Sequence, residues 1–280
     1  MIFLSNLRYQ IIKFIENIPI LQIFVYNNLS KFKFLFPHDK DYFALKLLFK
    51  KNEKRDFIDV GGNIGLSTIG FRELGFKNNQ IHIFEPDNFL IKNYIDKLSK
   101  FYKNLKIYKF GLYSKDCEKK LIKAFYKNNY FHFNNSFDKK YIKNKIKSNY
   151  PNKYKKFRYK SQKLKLKNFD NLNLKNNFCF VKIDVEGLDH EVLKGMKKFL
   201  KKNKPVILIE YNYSNFNIIY NQLKNEYLCY KFDMDKNMMK KLSTSQIKIL
   251  HSGNTLENKY SKNSVNLFYI HKLHDSIGIL

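Results

Sequence analysis

Apolar positions along this chain switch between two periods. Short, nearly unbroken apolar runs occur at residues 56–60, 80–84, 105–110, 178–184, 205–210, 227–232 and 265–270. Runs of that length bounded by turn residues read as strands, and a strand buried on both faces loses the polar alternation. Between them apolar residues recur at helical spacing. One such segment runs from Leu66 to Leu74 and is closed by Gly75. A second runs from Asn88 to Phe101, with Phe89, Leu90, Tyr94, Leu98 and Phe101 on one side. A third runs from Leu188 to Lys202, with Leu188, Val192, Met196, Phe199 and Leu200 facing inward. Strands alternating with helices predict an α/β fold: a doubly wound, mostly parallel, seven-stranded sheet whose last strands form an antiparallel edge.

Two regions depart from this pattern. Residues 1–50 read as an N-terminal helical extension preceding a domain at 51–280. Asp41–Lys50 would be its last helix, with Asp41 favourable at the start. The greasy positions Ile2, Phe3, Leu4, Leu7, Ile11, Ile12, Phe14, Ile15 and Ile18 are interrupted by Arg8, Lys13 and Glu16. That is too broken for a spanning helix, which needs about 18 or more apolar residues. No small-residue cleavage site suggests a signal peptide. The segment fits either a cap on the core or a helix lying on a membrane surface. The second departure is a Lys-rich insertion at about 118–167. From Lys139 to Lys167 there are twelve lysines, one arginine and no acid. Tyr141, Tyr150, Tyr154, Phe157 and Tyr159 are interleaved. Leu164 and Leu166 alternate with lysines, as in a half-exposed strand. The insertion is expected to be mobile or to cover an active-site mouth.

Composition narrows the function classes. Apolar content of 44% and aromatic content of 17% exclude a disordered chain. The net charge of +29 favours an anionic partner, unless it reflects only a surface rich in Lys. Cys117, Cys179 and Cys229 are widely spaced and suggest neither a disulfide framework nor a structural zinc. Cys179 reads as core, and a reducing cytoplasm fits.

Candidate chemistry gathers at the strand ends. Asp56-Phe-Ile-Asp-Val-Gly-Gly-Asn-Ile-Gly65 is a strand ending in an acid and a glycine-rich turn. Ile81-His-Ile-Phe-Glu-Pro86 is a second strand ending in Glu85. This is the layout of a Rossmann-like nucleotide site, in which the turn approaches the ligand with bare backbone and the second acid accepts bonds from ribose hydroxyls. The turn lacks the G-x-G-x-x-G spacing of a dinucleotide site. An acid beside free N–H donors suits the ammonium and carboxylate of S-adenosylmethionine better than a pyrophosphate. Asp59, Gly61, Gly62, Asn63, Gly65 and Glu85 are therefore the candidate cofactor-binding residues. Asp87 reads as a helix cap.

The most distinctive stretch is Phe180-Val-Lys-Ile-Asp-Val-Glu-Gly-Leu-Asp-His-Glu-Val-Leu-Lys-Gly195. Asp184 and Glu186 fall at the ligand end of a strand. Such a pair could make a general base or hold a divalent cation, and His190 is a second base candidate. Lys182 is expected to point away from the mouth or to form a salt bridge. Glu210 ends the next strand at the same rim.

With these motifs in view, the chain resembles the FkbM-type methyltransferases, a branch of the class I S-adenosylmethionine-dependent enzymes. The matching pieces are Asp59-Val-Gly-Gly-Asn-Ile-Gly65, Phe84-Glu-Pro86, Lys182-Ile-Asp-Val-Glu-Gly187, Glu191-Val-Leu-Lys-Gly195 and Ile209-Glu210. Leu166-Lys-Asn-Phe-Asp170 looks like a worn leucine–aspartate segment of the same family. The resemblance covers roughly residues 55–272. Two departures are an expected harmless Gly62 where the family usually has Ala, and Asp189 where it often has Glu. The resemblance implies O-methylation of a hydroxyl, often on a sugar of a glycan, lipopolysaccharide or secondary metabolite. The cysteine usage fits work in the cytoplasm, and the basic patch with the N-terminal helix could dock the chain peripherally at the inner face of an anionic membrane. Asp184, Glu186 and His190 would then serve as base or metal contacts.

Two rival readings remain at this stage. An NAD(P)-dependent oxidoreductase explains the glycine turn and Glu85, but not the Asp184–His190 stretch. An RNA-directed methyltransferase or a basic nucleic-acid-binding protein would use the lysines and tyrosines of 141–167 to follow phosphates and stack bases.

Overall fold

The computed structural model describes residues 37–50, 52–127, 129–132, 135–252 and 266–275, together with Ile11, Phe24 and Val25. Most of the predicted N-terminal extension lies outside the described residues. Its last helix is present as a 3-10 turn, Lys40–Ala44, running into Leu45–Leu48. The cap is Asp39, whose side chain accepts from the Asp41 N–H, so the start lies ahead of Asp41. Tyr42, Ala44, Leu45 and Leu48 bury against Phe57, Phe71 and Phe180 on one face of the main sheet.

The main sheet contains β1 (Asp56–Val60), β2 (Ile81–Phe84) and β3 (Leu105–Tyr108). It continues with β8 (Phe178–Ile183), β9 (Val206–Glu210), β10 (Tyr227–Asp233), β11 (Met238–Lys241) and β12 (Asn266–His271). Its order is β11-β10-β12-β9-β8-β1-β2-β3. The five strands from β3 to β9 are parallel, and β12, β10 and β11 add on antiparallel. All seven expected strands form. The eighth, β11, reads Met-Met-Lys-Lys and carries no apolar run, because an exposed edge strand needs none.

The helices also deviate from the simple pattern. Asn88–Leu98 contains a π turn at Ile91–Ile95. Leu90, Ile91, Ile95 and Leu98 are buried, whereas Phe89 and Phe101 are exposed. The expected Leu188–Lys202 helix is two pieces, Asp189–Gly195 and Lys197–Asn203, separated at Met196. Gly195 presses on the chain at Tyr113, where a Cβ would stand 2.2 Å from the Tyr113 carbonyl oxygen. Asp170 accepts from the backbone N–H groups of Lys198 and Phe199 and so caps the second piece.

The Lys-rich insertion supplies most of a second sheet. The sheet comprises β4 (Gly111–Leu112), which precedes the insertion, and β5 (Cys117–Tyr126), β6 (Asn129–Tyr130) and β7 (Phe157–Lys167), in the order β4-β7-β5-β6. β5 and β7 pair antiparallel from Cys117↔Leu166 to Tyr126↔Phe157. Leu164 and Leu166 are buried between exposed lysines, as their alternation predicts. The helix Lys139–Asn149 buries Ile142 and Ile146 against Ala124, Phe131 and Phe157. Cys179 and Cys229 are buried and Cys117 is half-buried, and all three are free thiols. Among the described residues, no helix is long and apolar enough to cross a membrane.

Candidate active site

The carboxyl ends of β1, β2, β8 and β9 open onto a cavity of about 990 Å³. Small-molecule sites run to roughly 300–1,000 Å³, so this one has room for two reactants side by side. The second sheet forms the opposite wall, through Leu121, Leu164 and Leu166, the segment 135–138, and Tyr141 and Lys145 of its helix.

Glu85 sits at the tip of β2 and is 6% exposed. Its Oε2 accepts from the Asn63 N–H at 2.8 Å and its Oε1 from the Asp87 N–H at 2.8 Å. Burial pushes its carboxyl up to about 8 despite these two bonds. Asn63 adopts a left-handed conformation, and its Oδ1 is buried with no hydrogen-bond partner. Both residues line the cavity. A buried carboxylate and an orphaned amide oxygen together fit a ligand that brings hydroxyl donors.

Of the three turn glycines only Gly61 faces the cavity. Its φ of +84°, and the 2.0 Å that would separate a Cβ from the Asp184 carbonyl oxygen, leave glycine as the residue that fits. Gly62 and Gly65 instead pack against the fold. A Cβ at Gly62 would meet Ile83 Cγ2 at 2.3 Å, so an alanine placed here would force Ile83 to shift. Asp59 also lies below the turn and outside the cavity wall. Fully buried, it accepts from Ser67 Oγ and Thr68 Oγ1 at 3.2 Å each and faces Lys182 Nζ at 3.5 Å. It fastens the turn to the following helix.

The catalytic candidates separate. Asp184 and Glu186 both line the cavity, with Asp189 and Glu210 beside them. Lys182 Nζ approaches Asp184 Oδ2 at 3.3 Å, which is the expected salt bridge. Glu186 is held at φ +53°, a conformation uncommon for a non-glycine residue. Burial pushes Glu186 up to about 8; Lys145 opposes this, and Asp184, Glu210 and Asp189 add to it. Asp189 accepts from the Val185 N–H at 3.1 Å and is raised to about 7, by burial and then by Asp184. His190 points elsewhere. It is absent from the cavity wall, its Nε2 lies 3.5 Å from Glu191 Oε1, and burial lowers its pKa. Among the described residues, no group of three or more His, Cys, Asp or Glu could hold a metal ion.

Three contributors escape the motif reading. Lys145 Nζ lies 4.0 Å from Glu186 Oε2 and comes from the insertion. Asp87 caps its helix as expected, accepting from the Phe89 N–H, but it also lines the cavity. It binds Lys123 Nζ at 2.5 Å and the Tyr130 hydroxyl at 2.9 Å, which ties the second sheet to β2. His132 lines the same wall, kept neutral by burial that holds it at about 3.

The FkbM methyltransferase domain matches residues 59–241. The chain belongs to this family. Among solved structures, the chain is similar to the FkbM methyltransferase of Methylobacillus flagellatus KT, at 13% identity and a TM-score of 0.46. That likeness covers 77% of this chain and 43% of the other, so this chain spans less than half of its length. A SAM-dependent O-methyltransferase of Thermotoga maritima is 10% identical with a TM-score of 0.40, over 84% of this chain and 64% of that one. The precorrin-6y C5,15-methyltransferase of Geobacter metallireducens GS-15 is 12% identical with a TM-score of 0.35, over 81% and 86%. No curated protein matches the chain.

Proposed function

We propose that this methyltransferase-family chain transfers a methyl group from S-adenosylmethionine to a hydroxyl oxygen, with a sugar of a glycan, lipopolysaccharide or secondary metabolite as acceptor. The reading is carried by Glu85, a buried carboxylate facing the cavity beside the orphaned Asn63 Oδ1. These two groups suit the ribose hydroxyls, and the bare Gly61 turn leaves room for the rest of the nucleoside. When bound, the cofactor supplies a methyl group already activated by its sulfonium, so no nucleophilic side chain is required.

The protein's remaining tasks are alignment and removal of one proton. Glu186 and Asp184 stand at the ligand end of β8, opposite Lys145 and Tyr141. The Glu186 carboxylate is the proton acceptor in this reading. Its pKa near 8 gives it more basicity than an ordinary carboxylate while leaving an ionised fraction at neutral pH. Asp184, paired with Lys182, stands beside it. The rim, with the exposed tyrosines Tyr141 and Tyr213 and several carboxylates, suits a polyhydroxyl ring that stacks and donates hydrogen bonds.

The test is incubation with methyl-labelled S-adenosylmethionine and a panel of glycans, read by mass spectrometry. The expected product gains one methyl on oxygen, and Glu186→Gln lowers its rate by about 10²–10⁴-fold. Methylation of nitrogen or carbon, or full activity in the Gln variant, would reject the assignment.

A further inference from the structure

The inserted sheet contributes a polar group that no motif of the domain predicts. Asn135 is 6% exposed and lines the cavity. Its Nδ2 donates to the Tyr130 hydroxyl at 2.6 Å and to the His132 carbonyl oxygen at 3.0 Å. A carbonyl oxygen only accepts, so it fixes which end of the amide is nitrogen. Oδ1 is thereby turned the other way, and it is buried with no hydrogen-bond partner. A buried acceptor left empty is costly, so one in a cavity wall is filled by water or by a ligand.

The position of Asn135 is tied to Glu85 by a continuous chain of bonds. Tyr130, which receives the Asn135 Nδ2–H, donates to Asp87 Oδ2 at 2.9 Å. The Asp87 N–H in turn donates to Glu85 Oε1 at 2.8 Å. Lys123 Nζ, 2.5 Å from Asp87 Oδ2, holds the middle of this chain in charge balance. The same cavity also has apolar lining. Leu121, Leu164 and Leu166 are buried and line the cavity. Leu166 meets Pro86 across Gly111, where a Cβ would stand 2.6 Å from Leu166 Cδ2 and 3.3 Å from Pro86 Cγ. Apolar side chains together with the unfilled Asn135 acceptor fit a flat heteroaromatic ring bearing an N–H donor.

We infer that Asn135 selects the base of the bound nucleoside, its Oδ1 accepting a hydrogen bond from the 6-amino group of adenine. The inference rests on the cofactor reading proposed above and adds a specificity residue to it. A purine with a 6-oxo group presents an acceptor to an acceptor at that point, and such mismatches are strongly rejected. The insertion would then be part of the cofactor site and not only a cover over it.

The experiment is titration calorimetry of the whole chain with S-adenosylhomocysteine and with S-inosylhomocysteine, its 6-oxo counterpart. The wild type is expected to bind the adenine compound about 10–100-fold more tightly. Asn135→Ala is expected to weaken that compound and bring the two affinities together. Thermal denaturation of the variant checks that it is folded. Equal affinities in the wild type overturn the inference, even if the variant does not fold. A preference that survives in a folded Asn135→Ala overturns it as well. If neither compound binds the wild type, the cofactor reading itself falls, a result distinct from either of these.

Discussion

Lys145 Nζ stands 4.0 Å from Glu186 Oε2, so the helix of the second sheet and the turn after β8 meet across the cavity mouth. The contact matters because Glu186 has three acidic neighbours, Asp184, Glu210 and Asp189, and this one cation opposes them. Lys145 itself is raised above its ordinary value, because Glu186, Tyr141, Glu210 and Asp184 outweigh the burial that lowers it. Removing Lys145 should push the Glu186 pKa above its present value of about 8. Carbon-13 NMR titration of the Glu186 carboxyl in wild type and Lys145→Met checks this. An unchanged or lower midpoint in the variant would show that the pair has no electrostatic coupling.

Lys182 has a different duty. Its ammonium is buried between Asp59 Oδ1 at 3.5 Å and Asp184 Oδ2 at 3.3 Å. Lys182→Met leaves the fully buried Asp59 without its counter-charge. The expected loss is about 3–5 kcal/mol, as for a buried pair broken from one side. Adding Asp59→Asn should recover part of it, because the stranded charge is then gone. Urea denaturation of the single and double variants measures both. Strictly additive losses would argue against the pair.

The glycine turn makes a graded prediction. Gly75, at φ +105°, has nothing within 4 Å of a Cβ, so Gly75→Ala costs conformational strain alone, about 1–3 kcal/mol. Gly61→Ala adds a collision with the Asp184 backbone to a similar strain and should cost clearly more. Gly62→Ala has no positive φ but strikes Ile83, so its cost is one of overpacking, about 1–3 kcal/mol. Chemical denaturation of the three variants orders them. If Gly61→Ala were no worse than Gly75→Ala, the close approach of the turn to β8 would be wrong.

How much of this was legible follows from where the hydrophobic signal lies. The strands of the main sheet are readable because burial on both faces leaves unbroken runs such as Phe178–Ile183. Glu85, Asp184 and Glu186 are readable because they end such runs. The second sheet is not, since β5 reads Cys-Glu-Lys-Lys-Leu-Ile-Lys-Ala-Phe-Tyr and mixes both faces. Lys123 illustrates the difficulty: a lysine argues for solvent, yet this one is 7% exposed against Asp87. Asp59 has a second duty that its motif does not announce: Ser67 and Thr68, in the first turn of the next helix, donate to its oxygens. His190 sits inside the most distinctive stretch, but helical geometry turns it out of the cavity toward Glu191.

Two buried carboxylates tie the site to stability. Glu85 is raised from 4.5 to about 8 and Asp189 from 3.8 to about 7, in both cases chiefly by burial. Between their unfolded and folded pKa values the native chain holds protons that the unfolded chain has released. The contribution of these two groups therefore falls as pH rises through that window, from about 4 to about 8, while the buried His132, held at about 3, works against it up to about pH 6.5. A loss of even 1–2 kcal/mol lowers the melting temperature by about 2–8 °C in a chain of this size. A nucleoside that donates hydroxyl hydrogen bonds to Glu85 favours its charged form and pulls that pKa back down. Saturating S-adenosylhomocysteine should accordingly flatten the decline as well as raise the melting temperature. Thermal denaturation at pH 5, 6, 7 and 8, with and without the nucleoside, reads both effects. Melting temperatures that rise from pH 7 to pH 8 without ligand, above the range in which His132 acts, would contradict the burial of these carboxylates. A ligand that raises every point equally would mean that it binds without touching Glu85.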